Sequence, residues 1–177
     1  MTDRLFDIAI IGAGPTGAAL ALGLARLDLD VALIDARDPA AKARPDGRNF
    51  AIVTGSWRLL RSLGVTETLA DSCQALNGLE AIDGGTHYFG QPSILFENTD
   101  LDSPDPDEPL GQMVMAEPLQ AALDTAIKSS DQITCFAPAR FEHVTCEPQA
   151  GVVVLDTGES IRTRLLVGAD GMRSPVR

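Results

Sequence analysis

The chain has 177 residues, 45% hydrophobic and 22% charged, a balance that supports about one domain with a sizeable core. Its formal net charge is −11 and no Lys/Arg cluster offsets it, so phosphate backbones are repelled and no nucleic-acid partner is expected. Cys73, Cys135 and Cys146 form no CxxC pair, which argues against a disulfide framework or a metal site and for buried, inert thiols.

The opening "MTDRLFDIAIIGAG" lacks a basic region followed by a long apolar run, so it is not a signal peptide. No stretch approaches the roughly 18 apolar residues of a membrane span. A cytoplasmic location is expected, with peripheral membrane association through parts outside these residues left open.

Residues 6–11 (FDIAII) read as a strand buried on both faces. Residues 12–17 are a turn, and 16–27 form an Ala/Leu-rich helix that is apolar nearly all round. Val31–Ile34 is a second strand ending at Asp35. Strand, turn, helix and strand within about 30 residues make a unit of βαβ size. Residues 36–49 are polar, with two prolines and a glycine between 39 and 47, and read as a loop. Thr54 is placed to cap a helix over 56–63 that Gly64 ends. Trp57, on that helix, is assigned to the core.

Residues 78–111 change character, with strands joined by Gly-rich turns. They include "TDLDSPDPDEP", whose five carboxylates and three prolines read as a solvated loop tip. Pro118 opens a helix with Leu119, Ala122, Leu123, Ala126 and Ile127 on one face. Three strands follow, over 133–136, 141–147 and 152–156, then a hairpin turn at 156–159. Leu165, Leu166 and Val167 form a buried closing strand that leads into Gly-Ala-Asp-Gly. Ser174-Pro175 there has the signature of a helix start. His87 and His143 are isolated and lack metal-ligand spacing, so no metal site and no catalytic side chain is assigned.

The hexamer "GAGPTG" places Gly12, Gly14 and Gly17 in GxGxxG, with Ala13, Pro15 and Thr16 between them. It follows a strand, opens a helix, and has Asp35 18 residues after Gly17. Gly12 would make the tight turn, Gly14 would let backbone approach a diphosphate, and Gly17 would let the helix pack on the strand. The helix N-terminus would hold the diphosphate. Asp35 would accept from a ribose diol and disfavour a 2′-phosphate, with Ala36 and Arg37 beside it. This pattern alone leaves FAD and NAD open.

Together "GAGPTG", "DGRNFAIVTGSWRLLRSLGV" and "LLVGADGMRSPVR" resemble the flavoprotein aromatic hydroxylases, the para-hydroxybenzoate hydroxylase family, and within it the ubiquinone-biosynthesis hydroxylases. The resemblance runs along essentially the whole chain. It implies an α/β fold: a Rossmann-like FAD-binding domain with a parallel central sheet, an antiparallel β-meander and the start of an inserted substrate-domain sheet. The domain layout it implies is 1–77 and 112–177 for FAD binding, and 78–111 as the first hairpin of the substrate domain.

It also implies that Arg48 contacts the FAD pyrophosphate, and that Asp170 and Gly171 lie near the pyrophosphate and the path of the nicotinamide cofactor. Gln112 would touch the ribityl chain, although Glu117 stands where the family usually has Arg or Asn. FAD would be tightly bound, NAD(P)H the reductant, and an aromatic small molecule, a polyprenyl phenol, the substrate. The family's downstream Gly-Asp motif and most of its substrate sheet are not found. The chain is therefore expected to be an amino-terminal part, inactive alone, with self-association through the apolar surface near Leu165. Another FAD-dependent oxidoreductase branch, such as a prenyl reductase or halogenase, and a non-catalytic nucleotide-binding module remain alternatives.

Overall fold

The computed structural model describes residues 4–39, 47–85, 92–101, 105, 107–172 and 174–176. They fall into two compact units, Met1–Pro45 with Leu119–Arg177, and Asp46–Pro118. This division groups 46–77 and 112–118 with the 78–111 hairpin.

In the first unit, β1 (Leu5–Ile11), α1 (Pro15–Ala25) and β2 (Val31–Ile34) follow the pattern expected from the sequence. Every residue of β2 is buried, as is typical of a parallel strand covered on both faces. α1 buries Gly17, Ala18, Ala21, Leu22 and Ala25, and such small side chains let a helix lie close to a sheet. It is not buried all round, because Leu20 and the following Leu27 reach solvent.

Next come α3 (Ala116–Lys128), β8 (Ile133–Phe136), β9 (Phe141–Cys146), β10 (Gly151–Leu155) and β11 (Ser160–Gly168). α3 buries Leu119, Ala122, Leu123 and Ile127. Among the described residues the sheet runs β8-β2-β1-β11-β10-β9. β8, β2, β1 and β11 are parallel, whereas β10 and β9 pair antiparallel as a meander. The sheet is thus mixed rather than wholly parallel. Phe6, Ile11, Ile34, Val153, Leu155 and Ile161 are core residues of one cluster, with Phe136 meeting Phe6 edge-on at 6.0 Å between ring centroids.

Two expectations in this unit need correction. Cys135 and Cys146 are exposed and not buried, because they stand on β8 and β9, the two edge strands; Cys73, in the second unit, is half-buried. Leu165 is 56% exposed, while Leu166 packs on the core with Val176. After Ser174 the described residues 175 and 176 form a turn, in keeping with a helix start that is not built out within these residues.

The second unit holds β3 (Asn49–Val53), α2 (Thr54–Ser62), β4 (Cys73–Leu76), β5 (Gly78–Ile82), β6 (Ser93–Glu97) and β7 (Gly111–Met115). β3, β7 and β4 form one antiparallel sheet, and β5 and β6 form the expected hairpin. Thr54 does not cap α2: the N-cap is Val53, and the Thr54 hydroxyl donates to the Pro109 carbonyl. Trp57 is half-buried beside an open pocket rather than in the core. Glu108 is not solvated either; its carboxylate pairs with the Arg58 guanidinium and its side chain is only 12% exposed. His87 and part of the acidic stretch lie outside the described residues. His143 is exposed on β9.

Candidate functional site

The parallel strands end together. Phe136, Ile34, Ile11 and Gly168 are neighbours in register at the carboxyl edge of the sheet. The segments leaving them are tied to one another. The Gly12 amide donates to Ile34 O at 2.7 Å, Ala169 N to Ile11 O at 2.7 Å, and Asp35 N to Phe136 O at 3.1 Å. Loops from four strands are thereby held at the edge where open α/β sheets bind ligands.

The three glycines are needed for different reasons. Gly12 has φ +104°, and a Cβ there would lie 2.5 Å from the Ala169 carbonyl oxygen. A Cβ on Gly17 would lie 1.9 Å from Gly12 O, so α1 crosses the turn at a distance only glycine permits. A Cβ on Gly14 would meet nothing within 4 Å. The space above Gly14 is open, and Gly14 lines a cleft of about 590 Å³ that also takes in Asp35, Ala36 and Asp170.

That cleft is prepared for an anion at one end. Gly14 is the N-cap of α1, Pro15 follows, and no side chain caps the helix or places an acid in its first turn. The first-turn amides, Thr16 and Gly17 among them, and the positive end of the helix dipole thus meet no capping side chain and no first-turn acid.

Asp35 is held by Ala13 N on Oδ2 at 2.6 Å and by Arg37 N on Oδ1 at 2.7 Å. A carboxylate has about four lone-pair sites, so capacity for a diol is left. Asp170 has both carboxylate oxygens buried and without a hydrogen-bond partner among the described residues. Such a group is costly unless a ligand donates to it. Gly171, with φ +85°, closes the Asp170 turn.

Arg37 does not reach into the cleft. Its guanidinium clasps Asp124 through two bonds of 2.9 Å. Burial pushes the Asp124 carboxyl up, but the Arg37 fork and a Gln120 bond outweigh it and hold it below the usual carboxylate range. Arg140, at the cleft rim, was not flagged by any motif; its amide donates to Asp156 Oδ1 at 2.8 Å.

Arg48 and Gln112 belong to the second unit. The Arg48 carbonyl accepts from Ala116 N at 3.0 Å, which anchors the entry to β3. Gln112 stands on β7 at a pocket of about 390 Å³ with Thr54, Trp57, Arg58 and Arg61. Among the described residues no three His, Cys, Asp or Glu side chains gather as a metal would require, and no helix is long and apolar enough to cross a membrane.

The residues at the cleft fit the adenosine-diphosphate half of FAD: an open glycine loop at a helix N-terminus, an acid at the end of β2, and a buried carboxylate with no partner among the described residues. The sequence profile of the FAD binding domain family matches residues 6–177. The chain belongs to this FAD-binding family. It is 33% identical over 177 residues to ubiquinone hydroxylase UbiL of Rhodospirillum rubrum, covering 99% of this chain and 39% of that protein. It is 35% identical over 181 residues to the 3-demethoxyubiquinol 3-hydroxylase of Escherichia coli, covering 100% of this chain and 44% of that protein.

Among solved structures, a PqsL variant from P. aeruginosa superposes with a TM-score of 0.72 at 24% identity, over 97% of this chain and 44% of that one. The p-nitrophenol 4-monooxygenase PnpA of Pseudomonas putida gives 0.72 at 13% identity, over 97% and 42%. Those two likenesses speak to the fold. The chain spans less than half the length of each of these four proteins.

Asp35→Ala removes the two loop bonds from Ala13 N and Arg37 N together with the carboxylate's spare acceptor capacity. It is expected to weaken FAD binding by about 1–3 kcal/mol, read as the dissociation constant from flavin fluorescence quenching. An unchanged constant would separate Asp35 from the cofactor.

Proposed function

We propose that this chain is the FAD-binding part of an NAD(P)H-dependent flavin monooxygenase that hydroxylates an aromatic ring, a polyprenyl phenol of ubiquinone biosynthesis. FAD, when bound, carries electrons from NAD(P)H to O2, so that one oxygen atom enters the ring and the other leaves as water. A cytoplasmic location, where NAD(P)H is at hand, and docking on a membrane surface to reach a polyprenyl substrate are part of this reading.

The observation that carries this reading is the cleft itself. The α1 first turn carries no cap or acid and leaves its amides free for a diphosphate, Asp35 keeps acceptor capacity for a ribose diol, and the buried Asp170 oxygens have no partner among the described residues. The names of the hydroxylase relatives supply the reaction. The test is an assay of the complete natural protein with FAD, NAD(P)H and a prenylated phenol. NAD(P)H consumption coupled to a product carrying one added oxygen supports the proposal. Flavin-bound protein that yields no oxygenated product would sink the reaction and leave only the cofactor.

Asp170→Ala gives a further check. Removing a buried carboxylate that has no partner among the described residues should leave the apoprotein as stable or up to about 1–3 kcal/mol more so, while FAD or NAD(P)H use falls. Thermal unfolding of the apoprotein beside the cofactor assays reads both. A large loss of apoprotein stability would make Asp170 a purely structural turn residue.

A further inference from the structure

Gln120 and Asp124 stand one turn apart on α3 and belong to none of the motifs above. The Gln120 amide nitrogen donates to Ala13 O at 3.0 Å and to Asp124 Oδ1 at 2.8 Å. Two acceptors face this one atom, which fixes it as the NH2 group. Asp124 takes both arms of Arg37, Arg37 N donates to Asp35 Oδ1, and Asp35 Oδ2 accepts from Ala13 N. The bonds close a ring that grips the buried Ala13 from both sides, by its N–H and by its carbonyl.

The grip on the carbonyl has a directional consequence. A trans peptide is planar, so the Ala13 carbonyl and the Gly14 N–H point in opposite directions. With the carbonyl drawn toward α3, the Gly14 amide is turned to the other side of the loop. Gly14 lines the cleft, whereas neither Gln120 nor Asp124 does. The flanking groups are held by Asp35 on Ala13 N and by Ala18 N donating to Gly14 O at 2.9 Å, and the Gln120 bond to Ala13 O fixes the peptide between them.

We propose that Gln120 and Asp124 are positioning residues that aim the Gly14 amide at the cofactor diphosphate, an inference that rests on the cleft being the adenosine-diphosphate site. Gln120 acts on the peptide directly. Asp124 holds the Gln120 amide in place and keeps the Arg37 guanidinium out of the cleft.

The experiment uses the complete natural protein and compares wild type with Gln120→Leu, Asp124→Leu, their double variant and the milder Asp124→Asn. The readouts are the FAD dissociation constant, apoprotein melting, and the shift of the Gly14 amide resonance when ADP is added. Each leucine variant is expected to bind FAD roughly tenfold more weakly, about the cost of one aimed hydrogen bond. The double variant should lose no more than the worse single one, because the two residues act as one unit. The Gly14 shift should shrink in all of them. Asp124→Asn, which keeps the shape and an acceptor for Gln120, should show a smaller loss in the same direction and covers the case of a leucine variant that does not fold. Lower melting with unchanged FAD affinity and an unchanged Gly14 shift would overturn the proposal. A wild type that takes up no FAD removes the proposed function and this inference together. Wild-type uptake with full affinity in Gln120→Leu removes the inference alone.

Discussion

Gly14→Val should leave the apoprotein folded and abolish flavin binding. The two halves of that result come from the same observation, that a Cβ at Gly14 would meet nothing within 4 Å beyond its own chain neighbours. An added side chain therefore costs the fold little beyond the strain of a β-branched residue at the N-cap, where the backbone is extended at φ −66° and ψ 177°. The same side chain fills the space a diphosphate must occupy to reach the first-turn amides of α1. Far-UV circular dichroism and melting should match wild type, while flavin content after purification falls to background. A variant with wild-type flavin content would show that the loop does not cradle the cofactor.

Gly17→Ala should do the reverse. It adds a single methyl group, but 1.9 Å from Gly12 O, and both partners are backbone. No side chain can swing aside, so α1 must move off the turn or the turn must open. Either movement loosens contacts along α1, whose buried Ala18, Ala21 and Ala25 give it little side-chain length to bridge a gap. Destabilisation of about 3 kcal/mol or more is expected, at the upper end for overpacking, and FAD binding should fall as a consequence. Chemical denaturation measures it directly. Wild-type stability in this variant would mean that the helix and turn are not in contact as described. Two glycines three residues apart in one motif thus have opposite failures, one of binding and one of folding.

The βαβ unit was readable because its signals are local. Val31–Ile34 and Ile133–Phe136 appear where the apolar runs place them, and the glycine spacing carries its own geometry. β3 and β4 were not readable. Asn49–Val53 sits at the end of a polar stretch, and it becomes a strand through pairing with Gly111–Met115, some sixty residues away. Thr54 has the chemistry of a helix cap, yet the non-local Pro109 carbonyl claims its hydroxyl. Edge position, which also depends on sheet order, is what exposes Cys135 and Cys146.

At the site, the acid at the end of β2 was legible and the use of its neighbour was not. Arg37 looked like a cofactor contact because it follows Asp35, but α3 supplies Asp124 to take its charge. Gln120 and Asp124 gave only the weak signal of an i, i+4 polar pair on a helix otherwise read for its apolar face. Arg140 gave none, since its place at the rim follows from the path of the chain between β8 and β9.

Competition between cofactor fragments tests the assignment of the cleft most directly. The roles proposed for Gly12 to Gly17 and Asp35 concern the adenosine-diphosphate half of FAD and not the flavin ring. In a calorimetric titration of the complete natural protein, FAD should bind at one site, ADP should compete for it, and FMN should not displace FAD. FMN binding as tightly as FAD, with ADP unable to compete, would contradict it.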